Sequence, residues 1–286
     1  MKDIKEVYMI SLIAVDMDGT LLDSSGKIPQ HFPKVYKRLD KEDILFCVAS
    51  GRQYFSLLNS FEALRDKIVF IAENGANVVF KGETLYMCPI PSQDVREIFE
   101  EVIKLPDSLT ILCGRRAAYI IGAEPDQTEY LTEIEKYYPV KKYIHSLDEV
   151  DDDIFKFSVC TLDGAEEKSL PFFTPFAERY SVIVSGKIWL DIAQPGINKG
   201  VAIAHVQEYF GIAQEETMAF GDFLNDIELL QNAQYSYAMA NAHPDLFQHA
   251  NYQAAANYED GVLRQITDML DHPEEYEYET DAAANE

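Results

Sequence analysis

Two aspartates, Asp16 and Asp18, directly follow a short apolar run in the stretch LIAVDMDGTLL, residues 12–22. In an extended segment, side chains two residues apart point to the same side, so both carboxylates would face one small volume. Like charges that share a site repel each other, and a hard divalent cation such as Mg²⁺ would relieve that repulsion. The alternative is a capped turn in which Asp16 accepts hydrogen bonds from nearby backbone donors. For an isolated D-x-D-G, that turn is the commoner structure.

A serine–glycine pair, Ser50 and Gly51, closes a second apolar run in the stretch ILFCVASGR, residues 44–52. A hydroxyl group next to an open backbone N–H can hold an anion at the start of a helix. The alternative is that Ser50 only caps the helix that follows.

A lysine and a second pair of acids come much later in the chain. Lys199 precedes the helical pattern GVAIAHVQEYF, and Asp222 and Asp226 lie one helical turn apart in GDFLND, residues 221–226. A lysine at a helix N-terminus opposes the helix dipole, and anchoring a phosphate would explain its position. A surface lysine and ordinary helix-start acids are the alternatives.

The apolar runs that lead to these residues have a common pattern. Each is short, and each is followed by polar or glycine residues and then by a helical pattern, at residues 11–19, 43–52, 68–76 and 216–226. Short continuous apolar runs suit strands buried on both faces, and strands that alternate with helices build a doubly wound parallel sheet. Functional groups in such a sheet collect beyond the carboxyl ends of the strands. The sequence therefore predicts an α/β fold with its polar candidates at one sheet edge.

The middle of the chain has a different pattern, with helical stretches and strands whose apolar residues alternate with polar ones. Alternation predicts a sheet with one face toward solvent. We expect an α+β second domain over 87–188, inserted into a core formed by 1–86 and 189–286. The core would end in an acidic tail, 271–286, which carries seven acids and no Lys or Arg and is expected to be disordered.

The composition restricts the partners. The 286 residues carry 49 acids against 24 Lys plus Arg, a formal charge of −25, so nucleic acid and an anionic membrane are poor partners. No apolar run approaches the ~20 residues that span a bilayer, and the N-terminus lacks a secretory pattern. The four widely spaced cysteines are interpreted as free thiols, so we expect a cytoplasmic protein.

The candidate residues occur in a fixed order, each at a predicted strand end or helix start. In the motifs DMDGTLL, ASGR, NKG and GDFLND the chain resembles the haloacid dehalogenase-like phosphohydrolases, specifically the Cof-type branch with a large α/β cap. ENGA and the stretch 240–262 are similar to the same branch. The resemblance covers nearly the whole chain apart from its first residues and the tail, and it specifies the branch and not the substrate.

The resemblance implies a reaction at the first acid pair. Asp16 would be the nucleophile that attacks the phosphorus of a phosphate monoester and forms an aspartyl-phosphate. Asp18 would protonate the leaving alcohol and then deprotonate the water that hydrolyses the intermediate. Mg²⁺ would be held by the Asp16 carboxylate, the backbone carbonyl of Asp18 and Asp222.

The remaining motifs imply phosphate-binding groups. Ser50, the Gly51 N–H and Asn225 would hold phosphoryl oxygens, and Lys199 would neutralise developing charge. Asp226 would support the surroundings of the metal. The implied substrate is a small phosphorylated metabolite, a sugar phosphate or a phosphorylated cofactor.

Two other functions stay open at this point. A phosphotransferase or phosphomutase of the same superfamily would pass the phosphoryl group to another alcohol. A signalling receiver module also uses an acid pocket, a phosphorylated aspartate and a lysine on a doubly wound sheet, but Asp18 as a proton shuttle and the inserted domain argue against it. Phe223 departs from the family pattern, where a small or polar residue is more usual, and we expect it to influence substrate selection.

Overall fold

The computed structural model describes residues 5–121 and 128–281. Its strands form three sheets, which are built from short and mostly buried segments. In chain order the strands are β1 (Lys5–Tyr8), β2 (Leu12–Asp16), β3 (Leu45–Ala49), β4 (Val69–Ala72), β5 (Asn77–Phe80), β6 (Glu83–Met87), β7 (Leu109–Gly114), β8 (Ala118–Ile121), β9 (Lys141–Ile144), β10 (Ile154–Cys160), β11 (Ser181–Gly186), β12 (Trp189–Ala193), β13 (Thr217–Gly221), β14 (Tyr235–Met239), β15 (Tyr252–Ala254) and β16 (Tyr278–Asp281).

The helices connect these strands and place an apolar face against them. In α1, the buried residues Phe32, Val35, Tyr36 and Leu39 follow the spacing of one helix face, and Pro33 lies in the first turn, where its missing N–H costs nothing. The helices are α1 (Phe32–Lys41), α2 (Tyr54–Ser60), α3 (Ser92–Val102), α4 (Thr128–Tyr137), α5 (Leu170–Phe173), α6 (Lys199–Phe210), α7 (Ile227–Gln231) and α8 (Gly261–Asp271). No helix among the described residues is long and apolar enough to cross a membrane.

The largest sheet has eight strands in the order β15-β14-β13-β2-β3-β4-β5-β6. The strands from β15 to β4 run parallel, and β5 pairs antiparallel with β4. Strands β2, β13 and β14 are buried along their whole length, as expected for a parallel sheet covered on both faces. The predicted doubly wound parallel sheet is confirmed. Its order makes β3 and β13 the two neighbours of β2, so their carboxyl ends lie at one edge.

The second sheet has six strands in the order β11-β12-β10-β7-β8-β9, and its pairs are antiparallel except for β8 with β9. The expectation that one face meets solvent is wrong for its central strands, because β7 and β10 are buried at every residue. Leu112 packs in one apolar cluster and its neighbours Ile111 and Cys113 in another, and successive strand residues face opposite sides. Both faces are therefore covered along these strands.

The chain divides into two compact units. The first comprises Met1–Ser50, Ala63–Leu85 and Asn198–Glu286, and the second comprises Gly51–Glu62 and Tyr86–Ile197. The predicted domain ranges, with boundaries at 86/87 and 188/189, stay a prediction. In the structure the chain returns to the first unit after residue 197, because β12 pairs with β10 and β11 in the second sheet.

The expectation of a disordered acidic tail is wrong as far as Asp281. Residues Pro273–Tyr276 form a 3₁₀ turn, and β16 pairs antiparallel with β1. The Tyr276 ring is buried, and its hydroxyl donates to Asp268 Oδ2 at 2.7 Å. Burial of this aromatic ring offsets the repulsion among the surrounding acids. The last part of the predicted tail, 282–286, lies outside the described residues.

Candidate active site

Three of the candidate segments follow neighbouring strands of the eight-stranded sheet. Asp16 is the last residue of β2 and is paired in register with Ala49, so Ser50 is the next residue along β3. On the other side, Val15 is paired with Phe220 of β13, and Asp222 follows the end of that strand. The strand order alone thus brings the first acid pair, the serine and the second acid pair to one edge.

Lys199 joins this edge from the start of α6. The side chain of Asn198 caps the helix by accepting a hydrogen bond from the Val201 N–H at 2.9 Å. The Lys199 side chain is 1% exposed, and its Nζ lies 2.5 Å from Asp16 Oδ1 and 2.6 Å from Asp226 Oδ1. A buried ammonium group needs such partners, and here two carboxylates supply them.

Asp226 stabilises the loop that carries Asp222 through hydrogen bonds to its backbone. Its Oδ2 accepts hydrogen bonds from the backbone N–H groups of Asp222 at 3.0 Å and Phe223 at 3.1 Å, while its Oδ1 accepts from Lys199. A Cβ at Gly221 would lie 2.5 Å from Asp226 Cβ, so only glycine allows this approach. Asp226 therefore holds the loop and the lysine together.

The turn after β2 brings Thr20 to Asp222. Gly19 has a φ of +81°, and a Cβ there would lie 2.1 Å from Asp222 Oδ2. A side chain at this position would therefore displace the carboxylate. Thr20 Oγ1 donates to Asp222 Oδ1 at 3.1 Å, and the side-chain amide of Asn241 donates to the Gly19 carbonyl at 2.8 Å. The glycine of D-x-D-G is thus required by a close contact as well as by the turn.

Three carboxylates lie together at this edge, those of Asp16, Asp222 and Asp226. The Lys199 ammonium group contacts two of them, Asp16 and Asp226, so the negative charges outnumber the positive charge. Burial raises the pKa of Asp16 well above its ordinary value, and the charges of Asp226 and Asp222 add to the effect although Lys199 opposes it. Burial and the Asp226 charge raise the pKa of Asp222 to about 6. Burial alone would lower the pKa of Lys199, but the two carboxylates it contacts raise it instead. The lysine stays charged, and the cluster keeps an excess of negative charge.

This excess fits a divalent cation. Asp16, Asp222 and Asp226 each offer an oxygen within 4.8 Å of the others, and carboxylate oxygens are the ligands that Mg²⁺ prefers. Asp226 already uses one oxygen for Lys199 and the other for two backbone amides. The contacts of Asp16 with Lys199 and of Asp222 with Thr20 involve Oδ1 in each case, which leaves Oδ2 of each as a ligand. The donor set therefore fits the metal with Asp16 and Asp222 as direct ligands.

Two further predicted residues lie close to these acids. Asp18 is exposed, and its charge contributes to the raised pKa of Asp222, so the two carboxylates are near neighbours. Ser50 is buried, with its N–H donating to the Ile71 carbonyl at 2.9 Å. The alternative in which Ser50 caps the next helix is not what the structure shows, because Gln53 is the N-cap residue of α2.

The last two predicted residues lie in loops. Gly51 follows Ser50 and is the first residue of the second unit. Asn225 is exposed, and its Nδ2 donates to the side-chain oxygen of Asn74 at 3.1 Å. Sequence reasoning gave Asn74 no role, although an Asn-Gly pair directly after a strand is a strong turn signal. This turn signal could have identified Asn74 as a candidate residue.

The sequence matches a family model. The model for the haloacid dehalogenase-like hydrolases aligns with residues 13–266 of this chain. This range includes every acid of the cluster, Lys199 and Ser50.

Relatives of known name align over nearly the same length. The 5-amino-6-(5-phospho-D-ribitylamino)uracil phosphatase YbjI of Escherichia coli K12 is 32% identical over 265 residues, which are 92% of this chain and 97% of that protein. The HMP-PP phosphatase of Shigella flexneri is 25% identical over 277 residues, which are 93% of this chain and 97% of that one. Among solved structures, SMU.1108c of Streptococcus mutans UA159 superposes with a TM-score of 0.81 at 32% identity, covering 92% of this chain and 99% of that one.

Proposed function

The chain belongs to the haloacid dehalogenase-like hydrolases, and from this premise we propose that it is a Mg²⁺-dependent phosphatase of a small phosphorylated metabolite. The observation that carries the proposal is the buried Lys199, whose Nζ contacts Asp16 and Asp226 from strand and loop segments far apart in the sequence. Asp16 and Asp226 are buried, Asp222 is partly buried, and a further cation would offset the excess of negative charge around the one lysine.

Asp16 is the proposed nucleophile. Lys199 holds its Oδ1 at 2.5 Å, which fixes the direction of the carboxylate at the end of β2. The attack by Asp16 on phosphorus would form an aspartyl-phosphate and release an alcohol. Asp18, which is exposed two residues later, would give the alcohol its proton and then take a proton from water.

The proposed metal ligands are Asp16, the Asp18 backbone carbonyl and Asp222. When bound, Mg²⁺ would screen the negative charges of nucleophile and substrate from each other. Asp226 supports the site by bonding to the Asp222 N–H and to Lys199. Thr20 orients Asp222 through its hydrogen bond to Oδ1. The remaining predicted groups, Ser50, the Gly51 N–H, Lys199 and Asn225, would bind phosphoryl oxygens.

The names of the relatives suggest the first substrates to test. One is named for a phosphorylated ribitylaminouracil and another for HMP-PP. We propose a substrate of this size, a phosphorylated sugar or cofactor precursor. The transfer of the phosphoryl group to a second alcohol, the phosphotransferase alternative, is distinguished by its product, a new ester instead of free phosphate.

The test is a screen of phosphorylated metabolites with Mg²⁺, scored by phosphate release. We expect release from at least one small ester, and its loss on chelation and in Asp16→Asn. Asp40→Asn is the matched control, because Asp40 is an acid with a lysine partner, Lys67 at 2.8 Å, on the protein surface. Full turnover by Asp16→Asn would overturn the assigned nucleophile.

A further inference from the structure

A left-handed turn follows β4 at Glu73–Gly75. Its three residues have positive φ values of 51° at Glu73, 54° at Asn74 and 105° at Gly75. Glycine adopts such values readily and asparagine tolerates them, but glutamate does so at a conformational cost. Consecutive left-handed residues persist only where the surrounding contacts hold them, and they concentrate at functional sites.

The turn contacts three segments of the candidate site. The Asn74 N–H donates to the Ser50 carbonyl at 3.0 Å, and Asn74 Oδ1 accepts from Asn225 Nδ2 at 3.1 Å. A Cβ at Gly75 would lie 2.2 Å from the carbonyl oxygen of Asn198, so the turn packs directly against the residue before Lys199. Ser50, Asn225 and Lys199 are the groups proposed to bind phosphoryl oxygens, and one turn is packed against the backbone or side chain of each segment.

We propose that Asn74 is a positioning residue for phosphate binding, acting through the side chain of Asn225. The inference rests on the proposed function, since it concerns the phosphate of the same site. Asn225 is exposed in a loop, where its carboxamide would otherwise rotate. An amide NH₂ has two N–H donors, so fixing one on Asn74 Oδ1 gives the other a defined direction. Preorganised donors bind an oxyanion more tightly than mobile ones.

The chemistry of residue 74 explains why asparagine suits it. The position needs a residue that tolerates a φ of 54° and also carries a side-chain acceptor. Glycine meets only the first requirement, and most other residues meet neither. Asn74→Gly is therefore a precise test, because it keeps the backbone conformation and removes only the acceptor.

The experiment measures the dissociation constant of inorganic phosphate by calorimetry with saturating Mg²⁺. The proteins are the wild type, Asn74→Gly, Asn225→Ala and the double variant. We expect Asn74→Gly to weaken binding about five- to tenfold, which is the effect of one hydrogen bond. The double variant should bind no more weakly than Asn225→Ala alone, because Asn74 acts through Asn225.

The control is Asp43→Gly, which makes the same kind of change at an exposed position with a φ of 55°. It should leave phosphate binding unchanged. Losses that multiply in the double variant, an unaffected Asn74→Gly, or a wild type that does not bind phosphate would each overturn the positioning role. A wild type that binds phosphate but hydrolyses no ester would count against the proposed function alone, because the binding data would still decide the role of Asn74.

Discussion

Among the described residues, each unit buries one lysine against acidic side chains, but only Lys199 contacts a group of three acids that could hold a metal ion. In the first unit, Lys199 contacts Asp16 and Asp226, and Asp222 lies within 4.8 Å of both acids. In the second unit, Lys156 contacts one acid, Asp191, at 3.0 Å. Both lysines are nearly inaccessible to solvent, so both depend on their partners.

The buried lysine of the second unit contacts an acid and a backbone carbonyl. Lys156 Nζ donates to Asp191 Oδ2 and to the Gly51 carbonyl, each at 3.0 Å, and Ser158 Oγ donates to Asp191 Oδ1 at 2.6 Å. Both oxygens of the Asp191 carboxylate accept hydrogen bonds, one from Lys156 and the other from Ser158. Such a pair is satisfied by the protein itself.

The site in the first unit is not balanced, because three carboxylates surround one ammonium group. Burial raises the pKa of Asp16 and raises that of Asp222 to about 6, and the charges of the neighbouring acids add to both shifts. The comparison teaches that a buried lysine alone does not indicate function. A surplus of acids around the lysine indicates a functional site, because the excess negative charge favours the binding of a further cation.

The largest expected effect is on turnover. Asp16→Asn should lower kcat at least about 1,000-fold, because it removes the proposed nucleophile. It should not lower the thermal midpoint at pH 7.5 in chelator, because burial and the neighbouring acids disfavour the charged form of Asp16. Activity assays and thermal unfolding on the same preparation check both statements.

A midpoint well below that of the wild type would contradict the charge surplus. It would mean that the bond between Asp16 and Lys199 outweighs the repulsion from Asp222 and Asp226. Asp40→Asn, at an exposed acid paired with Lys67, is the control for an ordinary surface pair.

The second effect concerns the buried ion pair of Lys156 and Asp191. Asp191→Asn should lower the free energy of unfolding by about 3 kcal/mol, because the buried Lys156 ammonium group would lose the carboxylate it contacts at 3.0 Å. Replacing the pair by Lys156→Met and Asp191→Leu should recover at least half of that loss. Denaturant titration measures both variants, and a neutral result for Asp191→Asn would remove the difference between the two sites.

Whether a contact of the candidate site could be predicted from the sequence depends on what brings its residues together. The meeting of Asp16, Ser50 and Asp222 was predictable, because the carboxyl ends of adjacent parallel strands share one edge. That β2 is the neighbour of both β3 and β13 is known from the structure, because doubly wound sheets occur with more than one strand order. The contact between Lys199 and Asp226 was not predictable, since it depends on how α6 packs and which way two side chains turn.

The second unit shows where sequence reasoning fails. The alternation around Lys156 and Ser158 was interpreted as a strand with a solvent face, and both residues are buried. A period of two reports which side chains share a face, but it does not report what covers that face. Two partners of Lys156, the Gly51 carbonyl and Asp191 of β12, come from segments far from it along the chain.

The third effect is a pH dependence of the metal-free protein. The folded-state pKa of Asp222, about 6, lies above its ordinary value of 3.8, so the folded protein binds a proton more tightly than the unfolded chain. The stability that this provides is present below about pH 4 and is lost as the pH rises through about 6. Asp16 has a shift in the same direction and adds to the slope.

Thermal unfolding in chelator should therefore show a midpoint that falls by a few degrees between pH 4.5 and 7.5. Mg²⁺ should reduce this slope, because it stabilises the ionised acids. Asp222→Asn should flatten the curve in chelator. A thermal midpoint of the wild type that rises with pH in chelator would contradict the charge surplus.

The smallest effect distinguishes the roles of Ser158 and Thr20, whose hydroxyl groups each donate a hydrogen bond to an acid. Ser158→Ala removes a hydrogen bond to Asp191 and should cost about 1 kcal/mol of stability, with the Mg²⁺ requirement unchanged. Thr20→Val removes the hydrogen bond to Asp222 Oδ1 and should raise the Mg²⁺ concentration for half-maximal activity about threefold to tenfold, because the carboxylate loses its orientation. Metal titrations and denaturant titrations of both variants test the contrast. The comparison between the Lys156 site and the proposed metal site fails if Ser158→Ala shifts the metal requirement as much as Thr20→Val does.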